Sequence, residues 1–327
     1  MRILVTGGAG YIGAHTTQLL LERGYEVTVV DNLSRGHRHN ADPKRLRVFD
    51  LMETDRLTRV LAEENISAVI HFAAFIAVGE SSKSPEIYFQ NNVGGSMSVF
   101  TAMLRAGVTK LVFSSTAAVY GIPASSPITE DFPKQPVNAY GETKLMVETM
   151  LGWLDHLRGL RSIRLRYFNA SGADPSGRHG EEHEPETHLI PLVLRAIVSG
   201  TPVTIFGDDY ATPDGTCIRD YIHVRDLADA HVRAVESLLA GGASDAFNVG
   251  AGRGYSVREV IAAAEQVTGQ KVPYTMGPRR EGDPPALVAN SDKLRHAMDW
   301  QPRFTEIREI VATAWKFEKS RPLQGVK

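Results

Sequence analysis

The stretch Ile3-Leu4-Val5-Thr6-Gly7-Gly8-Ala9-Gly10-Tyr11-Ile12-Gly13 decides the fold. Its apolar head reads as a short buried strand. An amphipathic helical pattern follows over 11–23 and is stopped by Gly24. Between the two lies Gly7-x-x-Gly10-x-x-Gly13. Glycine at these places permits a tight turn and lets the backbone approach a pyrophosphate closely. The helix N-terminus then turns its N–H groups toward the negative charge. Glycine-rich turns are common, but one set between a strand and a helix is the fingerprint of a dinucleotide site.

Outward from that turn, Glu26-Val27-Thr28-Val29-Val30-Asp31 reads as a second strand ending on a carboxylate, at the spacing of the residue that binds the adenosine ribose. Two acceptor oxygens there take hydrogen bonds from both ribose hydroxyls and repel a 2′-phosphate, which favours NAD over NADP. Arg35, His37 and Arg38 follow and offer charge for a phosphate, but Asp31 holds the strand end. Asp50, at the end of a third strand, suits either the adenine amino group or the cap of its own loop. Strands at 45–50, 68–72, 110–115 and 162–166 alternate with helices at 55–64, 91–106 and 139–158. This alternation predicts an α/β fold, a Rossmann-like doubly wound parallel sheet with both faces covered.

After 168 the texture changes. Residues 169–188 are rich in Gly, Pro, Asp, Glu and His and have little periodicity, as functional loops often do. A helix at 188–199, a strand at 204–206, core elements at 220–224 and 225–239, a strand at 246–250 and a helix at 256–268 follow, then small helices and loops. The expected division is an NAD-binding domain, 1–168 plus 221–250, and a smaller mixed α/β domain, 169–220 and 251–327. The cleft between them, at the carboxyl ends of the strands, is where ligands belong.

Composition narrows the partners. Among 327 residues, 36 Lys and Arg against 38 Asp and Glu give a net charge of −2. No basic run stands out, which argues against nucleic acid or an anionic membrane. The single cysteine, Cys217, forms no internal disulfide and excludes a thiolate metal site; it reads as a small packed residue. The N-terminus reads as a strand entering a glycine turn, not as a signal peptide, and no window reaches the apolar length of a membrane span. A cytoplasmic protein is expected.

Tyr140-Gly141-Glu142-Thr143-Lys144 places Tyr140 and Lys144 four apart on one helix, so both share a face. A free phenol titrates near pH ~10, too high for a base at neutral pH. A neighbouring ammonium and a positive nicotinamide ring favour the phenolate. Such a pair occurs by chance on exposed helices. The glycine turn upstream and Thr116 just after the fifth strand give it chemical meaning.

Gly7-x-x-Gly10-x-x-Gly13, Ser114-Ser115-Thr116 and Tyr140-x-x-x-Lys144 together resemble the extended short-chain dehydrogenase/reductase family. Val78-Gly79-Glu80-Ser81, Leu165-Arg166-Tyr167-Phe168-Asn169, Arg219-Asp220-Tyr221-Ile222-His223-Val224 and Pro278-Arg279-Arg280-Glu281-Gly282-Asp283 are similar to those members that epimerise UDP-sugars. The likeness spans nearly the whole chain.

The resemblance implies a mechanism. Tyr140 as phenolate takes the proton of the sugar 4-hydroxyl while the C4 hydride passes to NAD. Thr116, where the family often has serine, hydrogen-bonds that hydroxyl and relays the proton. Lys144 holds the nicotinamide ribose and lowers the pKa of Tyr140. The 4-keto sugar turns over, hydride returns to its other face, and NAD stays bound. UDP-glucose and UDP-galactose lead as substrates, with UDP-pentoses or UDP-N-acetylhexosamines as the alternative.

The resemblance also implies binding roles. Gly7, Gly10, Tyr11, Ile12 and Gly13 lie at the pyrophosphate turn. Asp31, Asn32, Asp50, Leu51, Phe72, Ala73, Ala74, Asn91 and Phe168 complete the cofactor set. Asn169, Leu189, Thr204, Ile205, Phe206, Arg219, Arg280, Asp283 and Leu287 match UDP-sugar contacts. Arginine suits a diphosphate through its bidentate fork, although Arg219 also suits a salt bridge to Asp220 or Asp226. A homodimer built on 91–106 and 139–158 is expected. Two positions depart from the pattern. Ile76 stands where some members carry a lysine near the cofactor phosphates, and Leu287 is intermediate where the family varies between a bulky aromatic and a small residue.

Three rivals share the fold or the site. A dehydratase or decarboxylase needs an acid or base after the threonine, but Ala117-Ala118 follow Thr116. A non-catalytic NAD-binding regulator would not need the intact Tyr140–Lys144 pair. An ordinary dehydrogenase would require added NAD. His179, His183 and His188 with Glu181, Glu182, Glu184 and Glu186 match no familiar metal spacing; they read as a solvated loop without a metal.

Overall fold

β-Branched and aliphatic residues alternate along the first strands, and the alternation sorts them onto two faces. Ile3, Val5, Val27, Val29, Ile70, Val112, Ile163 and Leu165 belong to one buried cluster, Leu4, Val30, Val69, Leu111 and Phe113 to the other. A sheet apolar on both faces must be covered on both. A computed structural model of the chain describes residues 1–280 and 282–321. In it β1 (Arg2–Thr6), β2 (Glu26–Asp31), β3 (Leu46–Val48), β4 (Ile66–His71), β5 (Lys110–Ser114), β6 (Arg161–Tyr167) and a seventh strand, Asp245–Val249, form one parallel sheet. The order is Asp245–Val249, β6, β5, β4, β1, β2, β3. It reverses direction between β1 and β4, the switch point at which such sheets open a crevice.

Helices Tyr11–Glu22 and Val224–Leu239 cover one face, and Thr54–Glu63, Gly95–Ala106 and Ala139–Arg158 the other. The last of these has the bounds that its sequence predicts, because both ends are set locally. The Asn138 side chain accepts the Gly141 N–H at 2.8 Å, and Gly159 takes the left-handed φ of 66° that closes the helix. The helix expected over 91–106 instead begins with a π-helical turn, Phe89–Gly94. Within it Asn92 reaches out to the Phe75 backbone and to the Thr143 hydroxyl, which ties the turn to the Tyr140 helix.

A second sheet lies beyond the carboxyl ends. Ile218–His223 pairs with Asn169–Ser171, Gly254–Ser256 and Ala286–Leu287, while Val203–Phe206 pairs with Tyr274–Gly277. The strand expected at 220–224 therefore belongs here, not to the large sheet. The helix Val224–Leu239 and the strand Asp245–Val249 return to the large sheet. Residues near 292–300 return too, since Leu294 and Trp300 are buried in a core of the large sheet. The tail also holds a 14-residue helix, Ile307–Ser320, more than the small helices expected. Glu281 and 322–327 lie outside the described residues. Asp220 joins the second region together: its buried carboxylate accepts the N–H groups of Ala251, Gly252 and Ala289.

Candidate active site

The glycine turn has no room for side chains. Gly7 has φ of +70°, and a Cβ there would stand 2.7 Å from the Ala73 nitrogen. A Cβ on Gly13 would stand 2.3 Å from the Gly7 carbonyl oxygen. β1 and β4 thus bring their following loops into contact, and Phe72, Ala73 and Ala74 sit beside the turn. The helix opening at Tyr11 has no side-chain cap and no acidic residue in its first turn, so its N–H groups fit a pyrophosphate. The residues present fit NAD in a second respect. The Asp31 carboxylate is oriented by the N–H groups of Leu33 at 2.8 Å and Ala9 at 3.0 Å. Burial raises its pKa, and those two donors oppose the rise. Arg35 is engaged by Glu80 at 3.0 Å and does not stand free for a 2′-phosphate.

One cleft of about 1880 Å³ runs from this turn across the carboxyl ends to the second region. It is lined by the residues that the sequence put forward for cofactor, substrate or catalysis, except Arg38 and Lys144. Lys144 is buried beneath the lining. Its Nζ donates to the Ser114 carbonyl at 2.7 Å and stands 6.0 Å from the centre of the Tyr140 ring. Burial lowers the Lys144 pKa to about 7, with Glu148 opposing. Burial and the adjacent Tyr167 raise the Tyr140 phenol, while a hydrogen bond with Thr116 draws it down. The protein alone therefore does not activate the phenol, and the added positive charge of a bound nicotinamide ring falls where it is needed. Ala117 and Ala118 line the cleft after Thr116 and offer no proton.

Several of the expected residues use their side chains on the protein itself. The Tyr11 hydroxyl donates to the Gly172 carbonyl at 2.6 Å, and the Asn169 amide to the Asp220 carbonyl at 3.0 Å. Asp50 caps the Met52 N–H and accepts from Asn32 at 2.8 Å. Arg219 pairs with Asp283, not with Asp220 or Asp226. Arg280 stacks 4.1 Å above the Phe206 ring, so two guanidiniums flank the far end of the cleft. Leu287, Phe168 and Ala117 pack against one small cluster of Val119, Tyr120 and Ile128, and Ile76 lines the wall.

Other residues were given no role at the site by the sequence, and the fold brings them to it. Further along the Tyr140 helix, Glu148 forms a buried ion pair with Arg166 of β6, which Ser115 and Tyr120 complete. Ser81 accepts the Tyr140 N–H at 3.2 Å. The segment 179–188 is not the solvated loop expected. Glu181 is buried, the Glu186 side chain is 2 % exposed, and both face His183 and His188. Burial would lower the two histidines, but the carboxylates of Glu181 and Glu186, by their charge and as hydrogen-bond acceptors, reverse this, to about 9 for His183 and about 10 for His188.

A dinucleotide crevice, a tyrosine–lysine pair beside it and a second region closing over both define a Rossmann-type enzyme that works on a hydroxyl-bearing carbon. The chain belongs to the NAD dependent epimerase/dehydratase family, whose model matches residues 3–250. It is 49% identical over 324 residues to the UDP-glucose 4-epimerase of Lactobacillus helveticus, covering 98% of each chain. The UDP-glucose 4-epimerase of Brucella ovis in complex with NAD superposes with a TM-score of 0.94 at 45% identity, over 96% of this chain and 97% of that one. The Bifidobacterium longum enzyme in complex with NAD+ and UDP gives 0.92 at 38% identity, over 98% and 99%. No helix among the described residues is long and apolar enough to cross a membrane.

Proposed function

We propose that the chain is a UDP-glucose 4-epimerase that interconverts UDP-glucose and UDP-galactose. The observation that carries this is the convergence of Thr116 and Tyr140 on the cleft with Lys144 beneath them, at the mouth of a turn that fits NAD. Bound NAD supplies a reversible acceptor for the C4 hydride. Tyr140 accepts the proton of the 4-hydroxyl and returns it after the sugar has turned over. Thr116, which lines the cleft with Tyr140, positions the hydroxyl and relays the proton. Arg219 and Arg280 bind the diphosphate, and Leu287 bounds the space beside the sugar. The first region holds the cofactor and the second the UDP-sugar.

Two further readings belong to this proposal. The protein works in the cytoplasm. It pairs with a second copy through Gly95–Ala106 and Ala139–Arg158. Supporting the pairing, Met97, Met146, Trp153 and Leu157 are exposed on these two helices, and the last three form one stripe at helical spacing.

The test is Tyr140→Phe, assayed for C4 inversion of UDP-glucose without added NAD. Native protein should turn over with no net growth of the reduced-nicotinamide absorbance. The variant should keep its NAD and lose activity by about 10²–10⁴-fold, the range for one acid–base group. A near-native rate in the variant, or a strict need for added NAD, overturns the reading.

A further inference from the structure

The segment between the strand Asn169–Ser171 and the helix Leu189–Ser199 brings four donor groups to one place. One ligand-type atom from each of Glu181, His183, Glu186 and His188 lies within 4.8 Å of the others. The His188 Nδ1 stands 2.7 Å from Glu181 Oε1 and 3.1 Å from Glu186 Oε1. The His183 Nδ1 stands 3.1 Å and 3.8 Å from the same two oxygens. Two ring nitrogens and two carboxylate oxygens thus face a shared volume. The carboxylate side chains are 6% and 2% exposed, so their charges need cations beside them, and the two imidazoliums fill that place when no metal ion does. The Glu186 Oε2 atom is buried and makes no hydrogen bond, the Arg195 guanidinium standing 3.6 Å away. This oxygen is turned toward Arg195, whereas Oε1, which faces the two histidines, also accepts the Thr187 N–H at 2.8 Å and the His188 N–H at 3.0 Å.

We propose that Glu181, His183, Glu186 and His188 bind one first-row divalent metal ion, zinc foremost. Imidazole nitrogen with carboxylate oxygen suits zinc, manganese or iron, whereas calcium and magnesium prefer all-oxygen shells. Two carboxylates balance the charge of the dication. The ion displaces the protons now held on the two Nδ1 atoms, because imidazole coordinates as the neutral base. Its place in the fold assigns it a positioning role. His183 and His188 line the cleft, and the His183 ring packs edge-on to Tyr11 at 6.4 Å. Arg35 and His37, from the loop after Asp31, hold the same segment by the carbonyls of Glu184 and Glu182. The metal locks this wall of the cleft against the glycine turn and takes no part in proton transfer at Tyr140.

The test uses the full chain without an affinity tag, stripped with a strong chelator and then titrated calorimetrically with zinc alone. One ion per chain is expected, with a rise in Tm. Binding should weaken more than about 100-fold in His188→Ala and in Glu186→Gln, beyond what removal of an outer-shell partner costs. Saturating cobalt on the unaltered chain should give visible bands of nitrogen–oxygen coordination, a readout that survives if a variant fails to fold. Absence of stoichiometric uptake by the native chain, cobalt without such bands, or uptake unchanged in both folded variants overturns the site.

Discussion

Replacing Lys144 by methionine separates charge from packing at the heart of the site. The lysine is buried, its Nζ 2.7 Å from the Ser114 carbonyl and 6.0 Å from the centre of the Tyr140 ring. With the phenolate charge taken at the ring centre, 6.0 Å away, and an effective dielectric of ~20, the attraction is about 3 kcal/mol. On the phenol that is about two pKa units, or about 100-fold in the ionised fraction. The phenolate in turn favours the ammonium, so the two groups titrate as a pair. Methionine keeps the length of the side chain and removes the charge. The expected result is a loss in kcat of about 100-fold, with the pH limb that reports phenol ionisation moved up by about two units. Stability should not fall, because a buried ammonium is costly to the folded state and its pKa is already pressed down to about 7 by burial. Initial rates of C4 inversion across the neutral and alkaline range, beside urea unfolding of both proteins, make the measurement. A kcat within about threefold of native, or a pH limb that does not move, would refute the electrostatic role.

Two further outcomes follow from buried polar groups. Arg166→Met leaves the Glu148 carboxylate buried with the Ser115 hydroxyl and without its guanidinium. It should cost about 3–5 kcal/mol, while Glu148→Met combined with Arg166→Met should lie near native stability; additive losses in a denaturation cycle would contradict this. Burial holds His15 and His231 down at about 4, and His71 and His223 at about 3. Unfolded histidine takes its proton near pH ~6.5, so between that value and about 4 the unfolded chain binds more protons. Stability is therefore full above the unfolded value and falls with acid, by about 1.4 kcal/mol per pH unit for each histidine. Urea midpoints that are flat between neutral pH and pH ~5 would disprove it.

How much was legible depended on how local each cause is. The Tyr140 helix was readable to the residue because Asn138 and Gly159 act within one turn of its ends. The strands were readable because a sheet buried on both faces demands continuous apolar runs. The start of the helix at 91–106 was not, since the π-helical turn arises where Asn92 is drawn to Phe75 and Thr143, both distant in sequence. Nor was the metal-type cluster. Positions 181, 183, 186 and 188 follow neither a helical nor a strand period, and they meet because Arg35 and His37 hold the loop in place.

The sequence by itself determined the parallel sheet, the glycine turn, Asp31 at its strand end, and the tyrosine–lysine pair on one helical face. Each follows from the period of a single element or from the chemistry of a short motif. Tertiary structure decided the rest. It placed Ile218–His223 in the second sheet, gave Arg219 to Asp283, and turned an acidic, histidine-rich loop into a buried four-donor cluster. It also set the protonation of the site, pressing Lys144 down and Tyr140 up, because desolvation depends on what the whole fold packs around a group.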